Sequence, residues 1–222
     1  MLNTGPITGI ILAAGMSRRL GWPKQLLKIG EEYILNRVVD AALKSDLDNV
    51  TLVLGPCRDE IQAILGERLS ASRLRVVHNP DYRRGQSQSL LHGLQATRSG
   101  FRACMFILAD QPLLDSATIN LLIEHFYRSH LGICVPRCRG QRQNPAIFSL
   151  AYYDRLMRIT GDTGARGIIA AHSEDVLCVD VERPDIFRDV DTPEDLDRVA
   201  ALFQKSRQIE HESREDHQDD HT

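Results

Sequence analysis

Long apolar runs are missing from this 222-residue chain. Its most apolar stretches, Ile10–Ala13 and Ala103–Ala109, are of strand length. A membrane-spanning helix needs about 18 or more such residues, so no membrane span is expected. The first residues lack a basic region followed by an apolar core, so no secretion signal is expected either. Cysteine is sparse and odd in number, with five at 57, 104, 134, 138 and 178. Without an export signal, these read as reduced thiols of a cytoplasmic protein. Cys134 and Cys138 have C-x3-C spacing, but no second pair or nearby histidine completes a zinc set. A strong charge of one sign is also lacking. The net charge is −3, and residues 204–222 alone hold six acids against three bases. The remaining body is near neutral, which removes the electrostatic argument for nucleic-acid binding. Two familiar phosphate-binding signatures are absent: neither G-x-x-x-x-G-K-[ST] nor G-x-G-x-x-G occurs. No internal repeat is present.

What remains is the composition of a globular protein, 42% hydrophobic and 26% charged, long enough for one α/β domain with a continuous core. Strand-like runs fall at 10–13, 50–54, 74–77, 103–109, 132–135, 145–148, 176–181 and 187–190. Helical spacing falls at 33–43, 59–65, 90–97, 116–127, 152–159 and 193–203. This alternation predicts a single-domain, doubly wound α/β fold, a mostly parallel sheet with helices on both faces. The domain is expected to span 1–203. Residues 204–222 are charged, polar and aperiodic, and are expected to be a disordered tail whose His211, His217 and His221 are solvated.

The most informative stretch runs from Thr8 to Leu27, TGIILAAGMSRRLGWPKQLL. An apolar strand breaks at Ala14-Gly15 into a loop carrying Ser17, Arg18, Arg19, Gly21 and Lys24. A glycine beside small residues lets backbone N–H groups approach an anion, and Arg19 and Lys24 add fixed positive charge. The pattern points to a triphosphate site. In open parallel sheets, ligands sit beyond the C-terminal strand ends. Asp110 follows the apolar Ala103–Ala109, and Asp191 follows a short apolar run with Asp189 two residues earlier. A carboxylate at the mouth of a buried strand needs a partner or a metal. Two carboxylates beside a triphosphate suit Mg²⁺, which prefers oxygen ligands. The segment Gly85–Ser89 opens a helix that Ser87 or Ser89 is expected to cap, leaving N–H groups for a negative ligand.

Four motifs occur in order: LAAGMSRRLGWPK, ADQPLL, GDTGAR and DVDTPEDL. Together they resemble the molybdenum cofactor cytidylyltransferase family and its close relatives, over Leu12 to Leu196. The resemblance implies a Rossmann-like nucleotidyltransferase fold. It implies nucleotide contacts along Leu12, Ala13, Ala14, Gly15 and Ser17, and phosphate contacts from Arg19 and Lys24. By the same resemblance Asp110 and Asp191 ligate Mg²⁺, and Lys24, Arg19 and Asp110 act catalytically. Gly85, Ser87 and Ser89 face base and ribose, while Asn144, Pro145, Asp162, Gly164 and Arg166 border the acceptor. The guanylyl-transferring cousins generally carry Gly-Gly where this chain has Ala13-Ala14, and a methionine where ADQP has Gln111. Both differences favour CTP. Gln88 and Gln143 depart from the family's usual serine and glycine. The implied reaction moves CMP from CTP to molybdenum-bearing molybdopterin, with an apo-molybdoenzyme as a possible client of the product. The competing expectations are a sugar-phosphate nucleotidyltransferase, an NADPH-dependent oxidoreductase on the same scaffold, and a non-catalytic maturation factor.

Overall fold

A computed structural model describes residues 3–15, 22–97, 100–161 and 164–205. The chain opens with β1 (Ile7–Ala13), which is buried over nearly its whole length. Two two-residue strands, β2 (Lys28–Ile29) and β3 (Glu32–Tyr33), form a small antiparallel hairpin. There follow α1 (Ile34–Lys44), β4 (Asn49–Leu54), α2 (Arg58–Leu65), β5 (Leu74–His78), α3 (Gln86–Ala96), β6 (Ala103–Leu108) and α4 (Ser116–Arg128). The last third contains β7 (Ile133–Cys138), β8 (Gln141–Arg142), β9 (Ala146–Ser149), α5 (Tyr153–Leu156), α6 (Arg166–Ala171) and β10 (Val176–Asp180). A final helix, α7, covers 193–205.

Among the described residues the main sheet has eight strands, ordered β10-β7-β9-β6-β1-β4-β5, with β8 paired to β7. The pairs β6–β1, β1–β4, β4–β5 and β10–β7 are parallel. Only β9 and β8 run the other way. Since β9 is antiparallel to both β6 and β7, these two are parallel to each other. The C-terminal ends of β5, β4, β1, β6 and β7 therefore share one rim. The expected doubly wound, mostly parallel α/β fold is what forms.

The continuous apolar run of β6 packs on both faces, as a central parallel strand must. On one face lie Leu35, Val38 and Val39 of α1, Ile61 and Leu65 of α2, and Ile119, Leu122 and Phe126 of α4. On the other lie Leu90 and Leu94 of α3, Leu156 of α5, and Ile168 and Ile169 of α6. A third cluster, Ile29, Ile34, Val190 and Val199, fastens the β2–β3 hairpin to α7.

Four local readings change. Residues 187–190 are not a strand. Pro184–Phe187 is a 3-10 turn, and Ile186 and Phe187 bury against Cys138 and Val181 instead of joining the sheet. The expected helix at 152–159 shrinks to a 3-10 turn at Leu150–Tyr152 and the one-turn α5. Helix α3 starts at Gln86, so Ser87 and Ser89 lie inside its first turn and neither caps it. Its N-cap is Gly85 at φ 108°, a conformation glycine adopts without a Cβ clash. The Ser89 hydroxyl instead accepts a hydrogen bond from Asn79 Nδ2 at 3.0 Å. Helix α7 runs two residues past the expected 203. It opens with a reciprocal cap: Thr192 Oγ1 accepts from Asp195 N at 3.2 Å, and Asp195 Oδ2 accepts from Thr192 N at 3.0 Å. No helix among the described residues is long and apolar enough to cross a membrane.

Candidate active site

The rim at the C-terminal strand ends gathers charge at one point. Asp110 stands just past β6. The backbone N–H of Val190 donates to the Asp110 carbonyl at 3.0 Å, which draws the segment carrying Asp191 alongside. Lys24 lies in a 3-10 turn at Lys24–Leu26, after the loop that follows β1. Its Nζ donates to Asp110 Oδ2 and, at 3.0 Å, to Asp191 Oδ1. Lys24 and Asp110 are largely buried, while the Asp191 side chain keeps 45% of its surface exposed.

Burial alone would lower the Lys24 pKa. The Asp110 charge and hydrogen bond, followed by those of Asp191, outweigh it and hold the ammonium above its ordinary 10.5. Lys24 is therefore cationic at neutral pH. Asp189, although exposed, is pushed up to about 6, first by the protein around its carboxyl and then by the negative charge of Asp110. The hydrogen bond from Gln111 offsets part of that rise. An open cleft of about 300 Å³ lined by Arg188, Asp189, Asp191 and Arg198 adjoins these carboxylates.

The donor set suits a hard divalent cation. It offers only oxygens, and Asp110 Oδ1 is buried with no hydrogen-bond partner. The Lys24 ammonium already bridges the two carboxylates, so the site accepts positive charge between them. Among the described residues no cluster of three or more His, Cys, Asp or Glu could hold a metal ion. Phosphate oxygens and water would complete the coordination.

The loop after β1 joins this cluster through its backbone. Gln25 Nε2 donates to the Ala13 carbonyl at 2.8 Å and to the Gly15 carbonyl at 3.2 Å. Leu12 accepts from Ala109 N at 3.4 Å, tying the end of β1 to the end of β6. Ala13 and Ala14 are buried, whereas Gly15 is exposed with open space where a Cβ would point. Ser17, an expected nucleotide contact, and Arg19, an expected phosphate contact, lie outside the described residues, as does Asp162.

A second group forms at the start of α3. Ser87 N donates to the Gly161 carbonyl at 3.2 Å, and Gly164 packs against Gln86. The helix start at Gly85–Ser89 thus meets Gly161 and Gly164. The Ser87 hydroxyl is buried without a partner. Arg166 opens α6 and is exposed. Asn144-Pro145, a cis peptide, leads into β9 on the same rim, since Ala146 pairs with Phe106. The geometry thus brings Lys24, Asp110, Asp191 and the Ala13–Gly15 backbone together, and separately joins Gly85–Ser89 to Gly161 and Gly164. No direct bond between the two groups is found among the described residues.

Several residues at this rim escape sequence reasoning. Gln25 reads as a polar residue in a short apolar stretch, and Gln111 as part of a turn, yet both are buried and bonded across the site. Gly55, just past β4, packs on Ala14. The exposed His78 at the end of β5 has Nε2 3.0 Å from the Gly55 carbonyl. Only the position of Gly55 and His78 at strand ends signals any of this.

A mostly parallel sheet with a lysine, two carboxylates and a backbone loop at its C-terminal rim defines a nucleotide-handling α/β enzyme. Residues 9–176 match the MobA-like NTP transferase domain, and the chain belongs to that family of nucleotidyltransferases. It is 31% identical over 205 residues to the purine catabolism protein PucB of Bacillus subtilis (strain 168), covering 87% of this chain and 95% of PucB. The molybdenum cofactor cytidylyltransferase of Escherichia coli (strain K12) is 26% identical, covering 84% of this chain and 92% of that protein. The nicotine blue oxidoreductase of Paenarthrobacter nicotinovorans is 28% identical, covering 87% of this chain and 96% of that protein. Among solved structures, Rv0371c of Mycobacterium tuberculosis H37Rv in complex with manganese superposes with a TM-score of 0.71. It is 28% identical, covering 89% of this chain and 99% of that one.

Proposed function

We propose that this nucleotidyltransferase uses Mg²⁺ and transfers CMP from CTP to molybdenum-bearing molybdopterin, releasing pyrophosphate, in the cytoplasm. The observation that carries the reading is the junction of Lys24 with Asp110 and Asp191 beside the backbone of Ala13–Gly15. The preference for CTP rests on Ala13-Ala14, where guanylyl-transferring relatives generally have Gly-Gly. Gln111 supports it only as a family marker, because its amide is spent on Phe187 and Asp189.

In the proposed reaction, a phosphate oxygen of the acceptor attacks the α-phosphorus of CTP in line. The new P–O bond forms as the α–β bridge breaks and pyrophosphate leaves. The acceptor phosphate is already ionised at neutral pH, so no strong general base is required. Asp110 and Asp191 would hold Mg²⁺, which when bound supplies charge stabilisation to the phosphate oxygens. Lys24, kept cationic by its carboxylate neighbours, would donate to phosphate oxygens as charge builds on them. Backbone N–H groups of the Ala13–Gly15 segment would cradle the same phosphates. The Gly85–Ser89 helix start, joined to Gly161 and Gly164, would orient the nucleoside and border the acceptor. The rate advantage is then mostly positioning and electrostatics. The product would pass to an apo-molybdoenzyme client.

The test is incubation of the full chain with each of CTP, GTP, ATP and UTP, Mg²⁺ and molybdenum-loaded molybdopterin, following pyrophosphate. Release with CTP well above the other three is the expected result. Preference for GTP, or release only with a sugar phosphate as acceptor, contradicts the assignment.

A further inference from the structure

Each of the two most buried members of the charged cluster is followed directly by a buried glutamine. Gln25 follows Lys24 and is 3% exposed; Gln111 follows Asp110 and is 2% exposed. Neither side chain faces its own segment. Gln25 Nε2 reaches across to the carbonyls of Ala13 and Gly15, at 2.8 and 3.2 Å. Gln111 Nε2 reaches across to the Phe187 carbonyl at 3.1 Å and to Asp189 Oδ1 at 2.8 Å. In both cases the two neighbours are oxygens that only accept at neutral pH or at a carbonyl. That fixes which end of each amide faces them, because only the NH₂ end can donate twice.

The consequences for the site are specific. Two carbonyls of the β1 loop, those of residues 13 and 15, are held by one side chain. That side chain is anchored on the turn that presents Lys24, so the loop and the ammonium keep a fixed relation. In the same way, the segment that carries Asp191 is tied to the end of β6 by Gln111 together with the Val190 N to Asp110 carbonyl bond. Nothing else about a glutamine makes it favourable in these places. A buried amide is costly unless its hydrogen bonds are made, and Gln111 Oε1 is left buried without a partner. An apolar residue of similar length would fill either space but leave those acceptors without this donor.

We propose that Gln25 and Gln111 are positioning residues: Gln25 sets the β1 loop against Lys24, and Gln111 sets the 187–191 segment against Asp110. Calling the first loop a nucleotide loop rests on the function proposed above; the clamps themselves do not. Four separate segments thereby become one rigid constellation before any substrate arrives, the condition under which fixed charges act without reorganising.

The ligand-free 222-residue chain and its Gln25→Met and Gln111→Met variants provide the test, by residue-resolved amide hydrogen exchange. Methionine keeps the length and removes the donor. Exchange should be about tenfold faster over 13–15 in Gln25→Met, and over 187–191 in Gln111→Met, with the other segment unchanged in each case. A second readout uses Trp22, the only tryptophan of the chain and 60% exposed. Its emission is titrated with MgCTP and MgGTP. Gln25→Met should weaken whichever nucleotide the unaltered chain binds by about tenfold, at temperatures where the variant is fully folded. Uniform acceleration of exchange throughout the chain would make the glutamines ordinary core residues and overturn the proposal, as would unchanged exchange at both segments. If methionine prevents folding, the Gln→Asn variants, too short to span both acceptors, give the same readouts. An unaltered chain that binds neither nucleotide while the exchange pattern holds would count against the nucleotide reading and leave the clamps standing.

Discussion

Lys24 Nζ stands 3.0 Å from Asp191 Oδ1, joining residues 167 apart in sequence, and the same ammonium bonds Asp110. Removing that ammonium takes away the positive charge that bridges the two carboxylates. Lys24→Ala and Asp110→Ala should each lower turnover by about 10²-fold or more with the fold retained, as expected when a preorganised charged group is lost. Pyrophosphate release, with circular dichroism as the check on folding, measures this.

The same pairing makes a prediction about alkaline stability. The folded-state pKa of Lys24 is raised, so its contribution is fully present below 10.5 and is lost as pH rises through the higher folded value. The stability difference between the unaltered chain and Lys24→Met should therefore be flat from neutral pH to about 10 and shrink above that. Urea unfolding at a series of pH values reads it out.

Gly55 offers a steric test of the β1 loop. A Cβ there would lie 2.7 Å from the Ala14 carbonyl oxygen and 2.9 Å from its Cα, both backbone atoms that yield only if the loop moves. Gly55→Ala should cost about 1–3 kcal/mol, as overpacking does. In a chain of this size that lowers the melting temperature by about 2–10 °C. Nucleotide affinity should fall with it, because the displaced atoms belong to the loop.

Asp115 caps α4 by accepting from Thr118 N at 2.8 Å and pairs with Arg183 at 2.6 Å. Burial alone would raise its pKa; the Thr118 hydrogen bonds and then Arg183 more than reverse this and hold it below 3.8. Its stabilisation is thus present above 3.8 and lost as pH falls through the lower folded value. Asp115→Ala should destabilise by about 1 kcal/mol at pH 7, and the difference should vanish in acid. Denaturant titrations at neutral and acid pH decide it.

How far the sequence reveals this molecule depends on the range of the interactions involved. The apolar runs of β1, β4 and β6 and the helical spacing of α1 and α4 are local patterns, so the sheet and its flanking helices could be read directly. Asp110 could be nominated because it follows an apolar run that ends at the sheet's rim, a local feature. Asp191 follows a run at 187–190 that is not a strand, and reaches the same rim through the Val190 N–H bond to the Asp110 carbonyl. The contacts of Gln25 and Gln111 could not be read this way, since Gln25 reaches back 10 and 12 residues across an irregular segment, Gln111 reaches 76 and 78 residues ahead, and glutamine carries no local signal of burial. The run 187–190 misleads for a related reason. Phe187 and Val190 bury, but into two different satellite clusters, so apolar residues that read as a short strand have no neighbouring strand to join. The serines at 87 and 89 look like caps only until Gly85, with its positive φ, takes the cap position two residues earlier.

The central claim is that Asp110 and Asp191 together receive the metal that accompanies a triphosphate at the β1 loop. Anomalous diffraction from a crystal grown with Mn²⁺ and a non-hydrolysable CTP analogue tests it directly. The account predicts one strong manganese peak within coordination distance of both carboxylates, with the triphosphate over residues 13–15. Manganese and triphosphate bound elsewhere, with Lys24 still bridging the two aspartates, would contradict it.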